Sequence, residues 1–277
     1  MGKVISVVSN ILIFVLLTIL TQTGGLVMLL ALFLFHFFGK TINSRILRVI
    51  AKSGLFVMLY LIFTFVIIPV LAAAMGRVAL PVTTDGPLRP LNKLTCLLNR
   101  HYVRHDLLRA ALDVAKTMEE KYPGTVVNYL DAGFPFINGF PLIPHLSHND
   151  GKKVDVSFYY FSNETNEQVN LSPSFIGYGV CEEPKAGEVD TPGSCKEKGY
   201  WQYSLLTKLV SQHNKMKYRF DEERTKALVL LFAANQSIGK IFIEPHLKQR
   251  LHLTSNKIRF HGCRAVRHDD HLHVQLK

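Results

Sequence analysis

Charge is what the first third of this 277-residue chain lacks. Of its 32 Lys and Arg and 21 Asp and Glu, residues 1–86 hold six basic side chains (Lys3, Lys40, Arg45, Arg48, Lys52, Arg77) and one acid, Asp85. So little charge over so many residues excludes a solvated domain there, and 48% apolar residues overall exclude a disordered polymer. Residues 87–277 carry the other 26 basic and 20 acidic residues and are numerous enough for a real core. The net charge of +11 contains no Lys/Arg block, so nucleic acid is not expected as a partner; the same charge fits work near anionic lipid or an anionic polymer. Cysteine is scarce too, with Cys96, Cys181, Cys195 and Cys263 and no C-x-x-C pair, which argues against thiolate zinc. HExxH and GxSxG are absent, excluding a zincin helix and a serine nucleophile elbow, and no internal repeat occurs.

What the first part has is apolar length. Residues 4–38 are interrupted only at Thr21-Gln22-Thr23-Gly24-Gly25, and one straight helix would run ~52 Å, well beyond a ~30 Å hydrocarbon core. Two spans, about 4–21 and 25–38, are the better reading, the second short enough that a tilted or re-entrant hairpin stays open. Residues 53–76 form a third span that tolerates Pro69 as a kink. Lys40, Arg45, Arg48 and Lys52 crowd into the loop between the second and third spans, which places that loop in the cytoplasm and the domain on the far side. Ala72-Ala73-Ala74 could end a cleaved signal peptide, but more than seventy residues precede it, against a usual ~15–30. The expected organisation is an all-helical membrane anchor over 1–80 with two or three transmembrane helices, a Pro-rich linker over 81–90, and a domain over 91–277.

In the domain, Leu107, Leu108, Ala111, Leu112, Ala115 and Met118 recur at helical spacing within 103–121. Strands are expected at 125–131, 153–161, 240–244 and 271–276, helices at 202–214 and 220–234, and a short helix after Pro245. This order predicts an α+β fold around a small, mostly antiparallel sheet flanked by helices. The segment between Cys181 and Cys195, polar and holding two Pro and two Gly, predicts a loop closed by a disulfide between its ends.

Histidine carries the functional signal. Five of twelve fall in two stretches, His145 and His148 in PHLSHNDGKKVDVSF and His268, His271 and His273 in RHDDHLHVQL. His148 is followed by Gly151 and then by Asp155, which shares a strand face with Ser157; His271 and His273, two apart on a strand, point to the same side. Either stretch alone argues little. Together they bring two imidazoles and a carboxylate from separate strands, which is what a catalytic zinc with an open position needs.

The strings HLSHNDGKKVDV, KIFIEPHLK and RHDDHLHVQL resemble the penicillin-insensitive murein endopeptidases, within the zinc peptidases that include D-Ala-D-Ala carboxypeptidases, lysostaphin-type enzymes and the hedgehog domain. The resemblance covers about residues 87–277. It implies the fold of that group, with His148, Asp155 and His273 as Zn2+ ligands. It further implies His271 beside the zinc-bound water, His145 and His268 as further site histidines, and peptidoglycan cross-links at D-alanyl amides as substrate. The departures are the anchor, the Cys181–Cys195 loop and an end at Lys277 just after the last strand. A membrane-anchored murein endopeptidase of the inner membrane, its catalytic domain in the periplasm, is therefore expected. The alternatives are a D-Ala-D-Ala carboxypeptidase with the same site, and a non-catalytic zinc-binding scaffold of the cell wall. A transporter subunit would explain the apolar segment and none of the histidines.

Overall fold

The polar break in the apolar segment is a turn between two helices, α1 (Gly2–Thr21) and α2 (Gly24–Phe38). Thr21 closes it: its hydroxyl donates to the Leu17 carbonyl at 2.7 Å and accepts the Gly24 N–H at 2.8 Å. Gly25 allows the two helices to touch, since a Cβ there would stand 2.1 Å from Thr18 Oγ1 and 2.8 Å from the Phe14 carbonyl oxygen. After a short turn, Ser44 caps α3 (Arg45–Ile62) by accepting the Leu47 N–H, and a π turn at Phe63–Ile67 leads into α4 (Ile68–Ala74). In that turn the Ile68 N–H reaches back to Phe63, just ahead of Pro69, which has no N–H to give. Arg45–Ala74 is thus one 30-residue helix, long and apolar enough to cross a membrane, whereas α1 and α2 are shorter. Leu12, Leu16, Leu26, Phe33, Ile50 and Val66 all face outward. This computed structural model describes residues 2–83 and 85–277, and the side chains of residues 2–6 and of Lys40 lie outside the described set, so Lys3 and Lys40 of the charge argument are not placed.

The remainder is a mixed α/β arrangement of several small sheets. In chain order it comprises β1 (Val78–Ala79), β2 (Leu88–Pro90), α5 (Leu94–Leu97), β3 (Tyr102–Val103), α6 (His105–Lys121), β4 (Val127–Tyr129), β5 (Lys153–Ser157), β6 (Tyr160–Ser162) and β7 (Gln168–Val169). Then follow α7 (Thr191–Glu197), α8 (Leu205–Leu209), β8 (Tyr218–Phe220), α9 (Glu222–Ala234), β9 (Ile238–Phe242), α10 (Pro245–Arg250), β10 (Ile258–Arg259) and β11 (His271–Leu276). The largest sheet has the order β10-β9-β11-β5-β4-β2, antiparallel from β9 to β4 and parallel at both edges. β1 pairs with β3, and β7, β6 and β8 form a third sheet.

Period-two alternation divides the large sheet into two faces. Val154 and Val156 of β5 and Leu272, Val274 and Leu276 of β11 join a core with Leu107, Ala111 and Met118 of α6 and with Leu228 and Phe232 of α9. Asp155, His271 and His273, on the intervening positions, face the other way. The β5–β11 register pairs His273 with Asp155 and His271 with Ser157. Burial of each core side chain contributes roughly 1.5–3 kcal/mol, and slipping the register by one residue would forfeit it, so the core fixes which residues meet at the site.

Several expectations are corrected. Residues 81–90 are not a free linker, because Leu88–Pro90 forms the edge of the large sheet against Val127–Tyr129. The 153–161 strand divides after Ser157: Lys153–Ser157 pairs with β11 in the large sheet, whereas Tyr160–Ser162 pairs with β7 and β8 in the third sheet. The 202–214 helix shrinks to a 3-10 turn and α8. The Gln212 amide donates to the carbonyls of Thr207, Val210 and Gly179, taking acceptors that a continuing helix would use. The disulfide joins Cys195 to Cys263, 68 residues on, with Cα atoms 5.4 Å apart. Cys181 is a buried free thiol 3.5 Å from Thr207 Oγ1, so the shortest polar loop is not the one that closes.

Helix and domain meet tightly. Ile68 and Ala72 pack on Tyr102, and the Gln22 side-chain oxygen accepts the Phe136 N–H at 2.8 Å. Arg77 is buried under the loop between β4 and β5, donating to the Phe134 carbonyl and to Asn138 Oδ1.

Candidate metal centre

The loop from β4 to β5 delivers His145 and His148, β5 delivers Asp155, and β11 with the turn before it delivers His268, His271 and His273. All six are buried. Gly151, at φ +72°, turns the loop into β5; a Cβ there would lie 3.1 Å from Arg77 Nε, so the guanidinium props the loop from beneath.

Three atoms form a near-equilateral triangle. His148 Nε2 lies 3.1 Å from Asp155 Oδ1 and 3.0 Å from His273 Nδ1, and His273 Nδ1 lies 2.9 Å from Asp155 Oδ1. Donors ~2.0–2.1 Å from one tetrahedral ion stand ~3.3 Å apart, so a small expansion admits a metal. The His148 Nδ1–H donates to the Ala132 carbonyl at 2.6 Å, which fixes the tautomer and leaves the Nε2 lone pair for the triangle. Tyr178 donates its hydroxyl to Asp155 Oδ2 at 2.9 Å, holding the carboxylate so that Oδ1 faces the two imidazoles.

A second group gathers on Asp155 Oδ2, with His145 Nδ1 at 3.7 Å and His271 Nε2 at 3.6 Å. Either group of three could hold a metal ion. The first is the better fit, because its three atoms lie 2.9–3.1 Å apart, whereas in the second both imidazoles are 3.6–3.7 Å from the carboxylate and His145 Nδ1 is already paired with Asp131 Oδ2 at 3.1 Å. Nε2 of His145, His271 and His273 and Nδ1 of His268 are buried without a partner among the described residues, which a site that takes a further ligand explains. His268 belongs to neither group but lies 4.9 Å, ring to ring, from His271 and 5.6 Å from His273.

Electrostatics divide these groups. Burial pulls the Asp155 carboxyl upward, but His148 and His271 outweigh it and hold it well below the usual range. Asp131 is likewise lowered, its burial overcome by Arg100 at 3.0 Å and by His145. Burial, helped by the neighbouring histidines, takes His273 down to about 3 and His268 well down, so both are neutral and free to donate a lone pair. His271 differs: burial opposes its charge, yet Asp155 and Asp270 raise it to about 9.

A cleft of about 650 Å3 opens over the site, lined in part by His145, His148, His268 and His273. His261, stacked on Phe242 at 4.2 Å, and Arg264 line the wall next to the Cys195–Cys263 bridge. Among the described residues no acid lines this cleft, and Arg264 has no ion pair or hydrogen bond.

Of the candidate site residues named from sequence, His145, His148, His271 and His273 gather on Asp155, and His268 lies beside His271 and His273. Sequence reasoning missed Asp131, Asp270, Tyr178, Arg100 and His261. Asp131 and Asp270 left a trace, one ending the apolar run TVVNYLD and the other sitting inside RHDDHLH. Tyr178, Arg100 and His261 arrive from distant segments with no local pattern to mark them. Comparison with protein-family models and with curated proteins returns no match to this chain.

Proposed function

We propose that this chain is a membrane-anchored zinc peptidase of the murein endopeptidase and hedgehog-like group, hydrolysing D-alanyl peptide cross-links of peptidoglycan on the exocytoplasmic side of the inner membrane. The observation that carries the reading is the His148, Asp155 and His273 triangle, with a differently wired His271 on the other carboxylate oxygen. Two imidazoles and one carboxylate, buried and with room beside them, form the donor set of a catalytic rather than a structural zinc site.

Zinc bound there would supply a Lewis acid for the scissile carbonyl and a water of lowered pKa. The protein's part follows from its hydrogen bonds. Asp270 holds the His271 ring by Nδ1 and leaves Nε2 without a protein partner, so the protonated Nε2 is the atom to hydrogen-bond the oxyanion as it forms. Asp131, pinned by Arg100, orients His145 on the opposite side. Tyr178 keeps Asp155 from rotating. Arg264 on the cleft wall suits the free carboxylate that the amine-side residue carries next to a D-alanyl amide. That feature is common to endopeptidase and carboxypeptidase substrates, so the carboxypeptidase remains the second reading.

Placement agrees with this chemistry. The Thr21–Gly25 turn at one end of α2 rests on the domain, through the Asn99 amide donating to Thr23 Oγ1 at 3.0 Å, while the basic residues Arg45, Arg48 and Lys52 follow the other end. That polarity supports a cytoplasmic basic loop and a domain on the far side. A disulfide in the domain supports an oxidising compartment.

The test is to digest purified sacculi with the full-length protein in detergent, with and without chelator, and to analyse the muropeptides. Loss of cross-linked dimers that chelator blocks and zinc restores is expected. Release of terminal D-Ala alone would shift the reading to the carboxypeptidase. A stoichiometric metal with no cleavage would leave the scaffold.

A further inference from the structure

The cations at the far end of the helices have no counter-charge of their own. Residues 1–84 contain no Asp or Glu, and no ion pair involves Arg45, Arg48 or Lys52 among the described residues. Their spacing of three and four puts them on one side of α3. Arg48 donates Nε and Nη2 to the Ile42 carbonyl at 3.3 and 2.8 Å, which holds the guanidinium beside the turn that ends α2. Between these elements lies a cavity of about 610 Å3, with Arg45, Arg48 and Lys52 on one wall and Leu32, Phe35 and Val49 supplying apolar surface. The N-terminal end of the 18-residue α3 opens beside it and adds the positive end of its dipole.

An anion is what this cavity lacks, and its apolar walls ask for one with a hydrocarbon part. We propose that it binds the phosphodiester headgroup of an anionic glycerophospholipid, with the acyl chains lying along the outward Phe33 and Ile50. The proposal rests on the reading that these helices sit in a bilayer, and it is independent of the metal site at the other end of the molecule. A bound lipid would bridge α2 and α3 at the end where their basic and apolar side chains line the cavity. The side chains of α3 from Arg45 to Ile62 include none that is fully buried by protein.

The experiment uses the full-length protein reconstituted into phosphatidylcholine vesicles, with and without an equal share of phosphatidylglycerol, then released for native mass spectrometry. One phosphatidylglycerol retained per chain, favoured at least tenfold over phosphatidylcholine, is expected. The Arg45→Gln/Arg48→Gln/Lys52→Gln variant should lose that preference while keeping the metal content of the wild type. Inorganic phosphate at millimolar concentration should fail to displace the lipid; full displacement would mean a site for the free anion and would overturn the lipid assignment. Equal retention of the two lipids by wild type would overturn the proposal alone. Should the protein fail to float with either kind of vesicle, both the proposal and the membrane reading fall. If the triple variant does not fold, the single Lys52→Gln variant carries the same comparison with a smaller expected drop.

Discussion

The helices before Gly76 and the domain after it treat polar atoms in opposite ways. In the helices most large apolar side chains face outward, while Thr21, Gln22, Thr23 and Thr64 are turned in. In the domain the apolar side chains make the core, and the buried polar groups are numerous, with an ionisable cluster gathered around β11. One rule produces both patterns. A polar group away from water must find a partner, and in an apolar surrounding the only partners are internal. Where water is available outside, burying three acids and five histidines in one place has no folding advantage, and its persistence marks a site.

Removing the centre of the domain's polar cluster should have the largest effect. His148→Ala, Asp155→Ala and His273→Ala should each lose bound zinc and drop hydrolysis to background, on the order of 10⁴-fold. His271→Ala should keep zinc near stoichiometric and lose ~10²-fold in rate, with His145→Ala and His268→Ala closer to it than to the ligand variants. Metal analysis beside muropeptide turnover decides between them, and metal loss in His271→Ala with retention in His273→Ala would reverse the assignment.

The domain's covalent tie comes next. Opening the 68-residue loop with Cys263→Ser should cost about 4 kcal/mol on the chain-entropy account, read from denaturant midpoints with Cys181→Ser as an unaffected partner. An equal loss from Cys181→Ser would mean that the buried thiol is the one that matters.

In the helices the same kind of change has the opposite sign from that on a soluble surface. Leu16→Lys, on an outward position that a soluble protein would tolerate, should cost ~2.5–3.5 kcal/mol of membrane insertion if it lies near the bilayer centre. Unchanged flotation with vesicles would remove the contrast between the two regions.

A smaller effect is expected on the cleft wall. Arg264→Gln should raise KM about tenfold for an acylated D-Ala-D-Ala peptide, while leaving its C-terminal amide unaffected. Equal losses on both would assign Arg264 to structure.

The smallest change concerns Glu244, whose backbone-facing oxygen accepts the His268 N–H while the other is buried without a partner. Burial and the neighbouring Asp269 raise its carboxyl to about 7. A folded value above the unfolded ~4.3 means the folded state holds the proton more tightly, so its contribution to stability is full below pH ~4.3 and falls as pH rises toward 7. Glu244→Gln should flatten the melting-temperature profile across that window; a parallel profile would show that other groups set it.

Much of the site was legible because strands announce themselves two residues at a time. Val154, Val156, Leu272 and Val274 had to share a core, and that alone sent Asp155, His271 and His273 to one face. The 271–276 strand and the helix after Pro245 were readable for the same local reasons. What was not legible depends on pairings across the chain. Nothing local to Cys195 points to Cys263, since the pairing is set by how α7 docks on the 261–266 segment. Nor does Gln212 advertise that its amide will cap α8. Tyr178 orients Asp155 from 23 residues away, and only the folded sheet makes them neighbours.

The junction at Arg77 sets the working distance of the cleft. Three residues, Met75 to Arg77, separate α4 from β1, and Arg77 is itself locked beneath the loop that carries His148. A catalytic domain on a flexible tether sweeps a volume that grows with linker length and meets substrate at many heights. Here there is no slack to sweep. On the proposed function, the cleft would keep one altitude and one bearing over the helix ends, only polymer passing through that thin shell would be within reach, and the spacing between membrane and wall would help determine what is cut.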